Sequence, residues 1–136
     1  MIDWWKKAFI ENYANFDGRA RRSEYWYYVL TNLIIVISGY ILLAILALAG
    51  GPILFTIGAV IFVLWAIANL IPNLAVIVRR LHDTNKSGWW ILISFVPLGG
   101  LVLLVFYCLE GDRGKNEYGE DPKMNVSNTI NEIGKD

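Results

Sequence analysis

Polar and apolar positions divide this chain into blocks rather than stripes. Residues 25–78 contain no Asp, Glu, Lys, Arg or His. A soluble core helix runs about 8 to 20 residues and keeps a polar face, whereas a membrane-spanning helix needs roughly 20 mostly apolar residues. Gly50-Gly51-Pro52 interrupts the run near its middle. Two glycines allow a sharp reversal, and proline suits the first turn of a following helix. The pattern predicts two spans, about 25–49 and 52–78, joined as an antiparallel pair. A third apolar run, 89–109, carries Pro97-Leu98-Gly99-Gly100 at its centre. It reads either as a kinked spanning helix or as a re-entrant hairpin returning to its own side, and its length favours the span.

The segments outside these runs are polar in different ways. In residues 2–16, Ile2, Trp5, Phe9, Tyr13 and Phe16 fall on one helical face while Asp3, Lys6, Lys7 and Glu11 interrupt the stretch. This is the pattern of an interfacial amphipathic helix lying on the membrane, the alternative being a helix packed on its own protein. Residues 110–122 are polar and Gly-rich, and residues 123–136 read as a flexible tail. The expected fold is an all-α membrane protein: three transmembrane helices preceded by the interfacial helix, with residues 1–122 as a single membrane domain.

Charge refines the picture. Net charge is +0, so nothing pulls the chain toward nucleic acid. The lone Cys108 has no intramolecular partner for a disulfide. No cleavable signal-peptide pattern opens the chain, so membrane entry is expected to rely on the spans themselves. Arg19, Arg21 and Arg22 run directly into Tyr25-Trp26-Tyr27-Tyr28. That is the composition of a cytoplasmic border, where Arg meets anionic lipid headgroups and Trp and Tyr occupy the headgroup zone. With three spans, Lys6, Lys7, Arg19, Arg21, Arg22, Arg79, Arg80 and Lys86 share one side and Arg113, Lys115, Lys123 and Lys135 the other. The richer side, with the N-terminus, is then cytoplasmic.

Candidate chemistry is concentrated in residues 79–90, the only ionisable cluster between the apolar runs. His82 has the acid–base range for catalysis, but side chains of adjacent residues diverge on a helix, so His82 and Asp83 are expected to cap or crosslink the segment rather than act as a dyad. A single His offers no metal cluster, and no cofactor motif is present. Residues 110–122 superficially resemble a calcium loop, but with Asp112 as its first position Glu117 stands where such a loop needs its central Gly. Within the spans, Glu24, Tyr28, Thr31 and Ser38 share a face, as do Asn69, Asn73 and Arg80. Pro72 frees the carbonyl of Ala68, which either Asn could re-satisfy. The two Asn read as helix–helix glue or as the lining of a polar cavity. At the border Glu24 is expected to pair with Arg80 while Arg79 reaches lipid phosphate, and Asp83 to engage Arg19, Arg21 or Arg22.

Three stretches together carry a resemblance: Phe16-Asp17-Gly18-Arg19-Ala20-Arg21-Arg22-Ser23-Glu24-Tyr25-Trp26, then Arg79-Arg80-Leu81-His82-Asp83-Thr84 with Ser87-Gly88-Trp89-Trp90, then Asn116-Glu117-Tyr118-Gly119 and Asp121-Pro122. They resemble the signatures of the domain of unknown function 805 family, the YhaH-like bacterial inner-membrane proteins. The resemblance implies a multi-pass inner (plasma) membrane protein and no particular activity. Structural or binding candidates are Arg19, Arg22, Glu24, Asn69, Asn73, Arg79, Arg80, His82, Asp83, Trp89, Asn116 and Asp121. The expected function is a non-enzymatic module whose basic, aromatic-rimmed cytoplasmic face binds lipid headgroups or assembles with itself or protein partners. The alternatives are a subunit of an oligomeric transporter or channel, and a membrane-interface enzyme using His82.

Overall fold

Two charge-free helices joined by so short a turn have to lie side by side. In the computed structural model, which describes residues 2–124, they do. Helix α2 (Arg22–Ala49, 28 residues) and helix α3 (Gly51–Asp83, 33 residues) reverse at Gly50-Gly51, where Gly51 takes a φ of +73°. At 1.5 Å per residue they are about 42 and 50 Å long, more than a hydrocarbon core requires. They meet along a narrow seam where the edge of Phe62 sits over Gly39 and Leu43 and Leu46 reach Gly58. Their remaining surface is apolar and open, with Leu48 90% exposed at the far turn. Apolar surface on this scale is stable only against lipid or another protein.

Helix α3 runs through Arg79, Arg80, Leu81, His82 and Asp83, so the charged segment begins as about one and a half more helical turns rather than as a loop. It stops where Asn85 enters the left-handed region (φ 53°) and the Lys86 N–H returns to the Leu81 carbonyl at 3.0 Å.

The third apolar run is not one helix. A 3-10 helix (Gly88–Phe95) and helix α4 (Gly99–Cys108) fold back on each other, with the Trp90 and Phe106 rings edge to face at 5.4 Å. Leu98 turns the corner with a φ of 66°. A side chain at Gly99 would place its Cβ 1.7 Å from the Ile93 carbonyl oxygen, so only glycine lets the arms close. Each arm is about 15 Å long, half a hydrocarbon thickness. The expected continuous helix over 89–109 is therefore replaced by the hairpin alternative. Its exit returns to the end of α3, where the Asp112 N–H donates to the Asp83 carbonyl at 2.8 Å. Arg113, Lys115 and Lys123 consequently lie at the same end as Arg22 and Arg79, which corrects the two-sided division of charge. Lys135, with the rest of residues 125–136, lies outside the described residues, as does most of the expected flexible tail.

The N-terminal segment is helical over a shorter stretch than 2–16. Helix α1 (Ile2–Lys6) passes into a π-helical turn (Lys7–Glu11) and ends at Asn12. It packs on α2 and α3: Ala8 is fully buried, and Trp5 and Phe9 lie against the core. The core gathers at this end of the long helices, from Ala20, Tyr25, Tyr28, Val76, Leu81, Leu103 and Tyr107.

Pro72 explains one of these contacts. Lacking an N–H, it leaves the Ala68 carbonyl without its helical partner, and the Tyr13 hydroxyl donates to that oxygen at 2.6 Å. The N-terminal segment, not an Asn of α3, makes good the missing bond. Tyr13→Phe is expected to lower stability by about 0.5–1.5 kcal/mol in a detergent melt. An unchanged midpoint would mean that the carbonyl is served otherwise.

Candidate functional site

The ends of α2 and α3 meet the N-terminal segment and the polar loop in a collar of buried charge. Glu24, fully buried, accepts from Arg79 Nη1 at 2.8 Å, and Lys7 Nζ stands 3.2 Å from its other oxygen. A carboxylate opening an apolar helix has to be matched in this way, because an unpaired buried charge costs several kcal/mol. The partner is Arg79 rather than the expected Arg80. One position along a helix rotates a side chain by about 100°, and that rotation turns Arg79 toward α2 and Arg80 toward the hairpin. Arg79 is 3% exposed, so it does not reach lipid phosphate; its Nε and Nη2 are buried without hydrogen-bond partners among the described residues.

Arg80 is also fully buried. Its guanidinium donates to Asp83 Oδ2 and to the carbonyls of Tyr107 (3.2 Å) and Leu109. It thereby fastens the exit of α4, whose last carbonyls have no partners within the helix. Tyr25 and Tyr107 pack against each other beside it, ring centroids 4.7 Å apart.

Arg19 ties the polar loop down. Its Nε donates to Asp83 Oδ1 at 3.0 Å, its Nη1 to the Gly114 carbonyl at 2.6 Å, and its Nη2 to the Asp112 carbonyl. Of the three arginines considered as partners for Asp83, Arg19 is the one that reaches it. Asp83 thus accepts from two arginines, one on each oxygen. Gly111 passes so close that a Cβ there would lie 2.0 Å from Asp83 Oδ2, which explains a glycine directly after Glu110. The backbone adds a further tie, Ala20 N–H to the Arg79 carbonyl at 2.9 Å.

His82 is held on both faces of this lock. Its Nδ1 lies 3.1 Å from the Gly18 carbonyl, an acceptor only, so Nδ1 carries the proton. Its ring stacks on Tyr118 at 3.9 Å, and its backbone carbonyl accepts from Asn116 Nδ2 at 2.9 Å. His82 and Asp83 diverge, as adjacent helical positions do, and each crosslinks a different strand of the collar. Asn116 also accepts from the Tyr118 N–H at 2.9 Å and pairs its backbone with Gly119. Buried Asp121 accepts from the N–H groups of Lys123 (2.9 Å) and Gly114 (3.2 Å).

Burial works against ionising Asp121, but the N–H groups of Lys123 and Gly114 and the charge of Arg19 outweigh it and hold its pKa below the ordinary value. A carboxylate with a lowered folded pKa stabilises fully above its unfolded pKa, and that contribution is lost as pH falls through the folded pKa. Protection of the Gly114 and Lys123 amides, taken relative to the intrinsic exchange rate at each pH, is therefore expected to fall only below about pH 4, and Asp121→Asn to abolish that pH dependence. Protection at these amides that stays constant into acid would contradict the assignment.

The remaining candidates are dispersed. Arg22 is exposed, and Trp89 is 77% exposed on the hairpin's first turn. Asn69 joins α2, accepting from the Tyr28 hydroxyl at 2.6 Å, whereas Asn73 is exposed. Thr31 and Ser38 bond to carbonyls of their own helix, so the polar face of α2 consists of Glu24, Tyr28 and Asn32. Sequence reasoning passed over Asn32, Tyr13, Lys7 and Tyr118. Asn32 alone carried a signal, as the one amide in the first span four residues after Tyr28. Among the described residues, no group of three His, Cys, Asp or Glu side chains is placed to hold a metal ion.

Comparison with known proteins agrees with the signatures that build this collar. The family model described as "Protein of unknown function (DUF805)" matches residues 13–120. Among curated proteins, Inner membrane protein YhaI of Escherichia coli (strain K12) is 45% identical over 121 residues, covering 88% of this chain and 96% of that protein. Inner membrane protein YhaH of the same organism is 42% identical over 126 residues, 90% of this chain and 98% of that protein. No solved structure matches. Arg19, Arg79, Arg80, Asp83 and Asn116, the residues that lock the collar, all fall within the matched span, and the chain belongs to the DUF805 family.

Proposed function

We propose that this chain is a non-enzymatic module of the bacterial inner membrane. Helices α2 and α3 cross the bilayer, the hairpin of residues 88–108 enters and leaves on one side, and the collar forms a cytoplasmic cap seated on anionic headgroups. The observation that carries this reading is the distribution of charge. Every described Lys and Arg lies at the collar end, and the Gly50-Gly51 turn at the other end has no charged neighbour. Such one-sided charge favours a cytoplasmic collar. Within it, Arg19, Arg79, Arg80, Glu24 and Asp83 are engaged with one another and with backbone, and His82 is stacked and bonded. Groups committed in this way support a structural cap rather than a reaction centre. Exposed Lys6, Arg22 and Arg113, with Trp89 and Trp90 nearby in the border zone, are suited to lipid phosphate and headgroups. The inner-membrane names of the two relatives support the location.

Cysteine accessibility tests the arrangement. In a Cys108→Ser background, Lys115→Cys is expected to react with an impermeant maleimide only from the cytoplasmic side, and Leu48→Cys only from the periplasmic side. Labelling of Lys115→Cys from the periplasm would overturn the hairpin's return.

A further inference from the structure

The polar side chains on the middle of α2 and α3 divide into two kinds. The Ser and Thr hydroxyls are satisfied by their own helix: Thr31 donates to the Tyr27 carbonyl (2.8 Å), Ser38 to that of Ile35 (2.9 Å) and Thr56 to that of Pro52 (2.8 Å). Such groups can face lipid at little cost. The amides do not close on themselves. Asn32 Nδ2 donates to the Tyr28 carbonyl at 3.0 Å, the Tyr28 hydroxyl donates to Asn69 Oδ1 at 2.6 Å, and Asn69 Nδ2 donates to Asn32 Oδ1. One N–H of Asn32 and one of Asn69 remain over. Asn73 is exposed, and its amide makes no hydrogen bond among the described residues. All three amides line one open groove of about 320 Å³ beside Trp65 and Leu70. Counted from Arg79 toward the far turn, Asn73 lies about 9 Å and Asn69 about 15 Å along α3, depths at which the bilayer supplies no water.

We propose that this groove is where a second copy of the chain docks, with Asn73 at the centre of the contact. The proposal rests on the reading of α2 and α3 as membrane-spanning. The chemistry of the groove names the occupant. It has spare N–H donors on Asn32 and Asn69, and on Asn73 both a carbonyl and an NH2. An amide is its own complement. A two-fold axis through the groove brings the Asn73 carbonyl of each copy to N–H groups of the other, a self-matching contact of the kind that closed dimers require. A lipid acyl chain has no atom to offer these groups.

The test uses the full chain in native membranes with Cys108→Ser and one added cysteine. Mild oxidation is expected to yield a disulfide-linked dimer for Asn73→Cys and none for Ile71→Cys, an exposed position about 160° around α3 from Asn73 and at nearly the same depth. Energy transfer between labelled copies, diluted in lipid, gives the strength of pairing. Asn73→Leu is expected to weaken it roughly three- to thirtyfold, while Asn73→Gln, which keeps the amide, preserves it. Equal crosslinking at both positions, pairing unaffected by Asn73→Leu, or a chain that stays monomeric at every dilution would overturn the proposal. A lipid or solute held in the groove instead would appear as that monomer. Release of the chain from membranes by alkaline carbonate would instead remove the membrane-spanning reading beneath the proposal, and the docking surface with it.

Discussion

Asp83→Ala is expected to cost about 3–5 kcal/mol, the largest loss from any single side-chain truncation in the collar. The carboxylate accepts from Arg19 on one oxygen and from Arg80 on the other, and both guanidinium groups are buried. Removing it leaves two cations out of water with only carbonyl partners. Replacing a whole buried ion cluster by apolar groups can be nearly neutral, but removing one member is costly because its partners stay behind. The loss should be visible as a lower unfolding midpoint in detergent and as faster hydrogen exchange in residues 111–121, which Arg19 holds. Asp83→Asn should fall between, since the amide keeps one acceptor but brings an N–H against an arginine. A midpoint unchanged in Asp83→Ala would show that the collar is held by packing alone.

Glu24→Gln is expected to be almost as damaging. Among the described residues, the Arg79 guanidinium already has two buried nitrogens without partners, and Glu24 is its one anionic contact. The informative experiment is a pair of double-mutant cycles. Glu24→Gln with Arg79→Gln should be strongly non-additive, with a coupling of about 1–3 kcal/mol, whereas Glu24→Gln with Arg80→Gln should add. Coupling of Glu24 with Arg80 and not with Arg79 would reverse the pairing described above.

Much of this molecule was legible in the sequence, for reasons that can be named. The two long helices followed from a charge-free run broken by Gly50-Gly51-Pro52, because length and absence of charge are local properties. The arginine-rich first stretch, residues 79–84 and residues 111–122 stood out as signatures, and they converge in one collar. The Glu24 partner was misassigned because neighbouring arginines differ only by the rotation of one helical position, which is set by packing against α2 and the hairpin. The third run was ambiguous for a similar reason. Pro97-Leu98-Gly99-Gly100 permits a kink or a reversal, and the contact of Gly99 with the Ile93 carbonyl, which decides between them, exists only after folding. The role of Tyr13 was hidden because it joins positions 55 residues apart. The N-terminal segment had two readings open, lying on lipid or packing on its own protein. Here it packs on α2 and α3, since Ala8, Lys7 and Tyr13 all find partners there.

The reach of Arg19 also dictates an order of assembly. Its partners stand 64 to 95 residues further along the chain, at Asp83, Asp112 and Gly114. Synthesis delivers the N-terminal end first, so Glu24 can meet Arg79 as soon as α3 is made. Arg19 and Arg80 cannot complete their bonds until the polypeptide has passed Tyr107 and the following loop has emerged. Loops this long are slow to close, because the entropy of closure is lost before any contact rewards it. Until then the collar is half built: Arg19 and Arg80 share Asp83, while the carbonyls of residues 107–114 that complete their shells have yet to arrive.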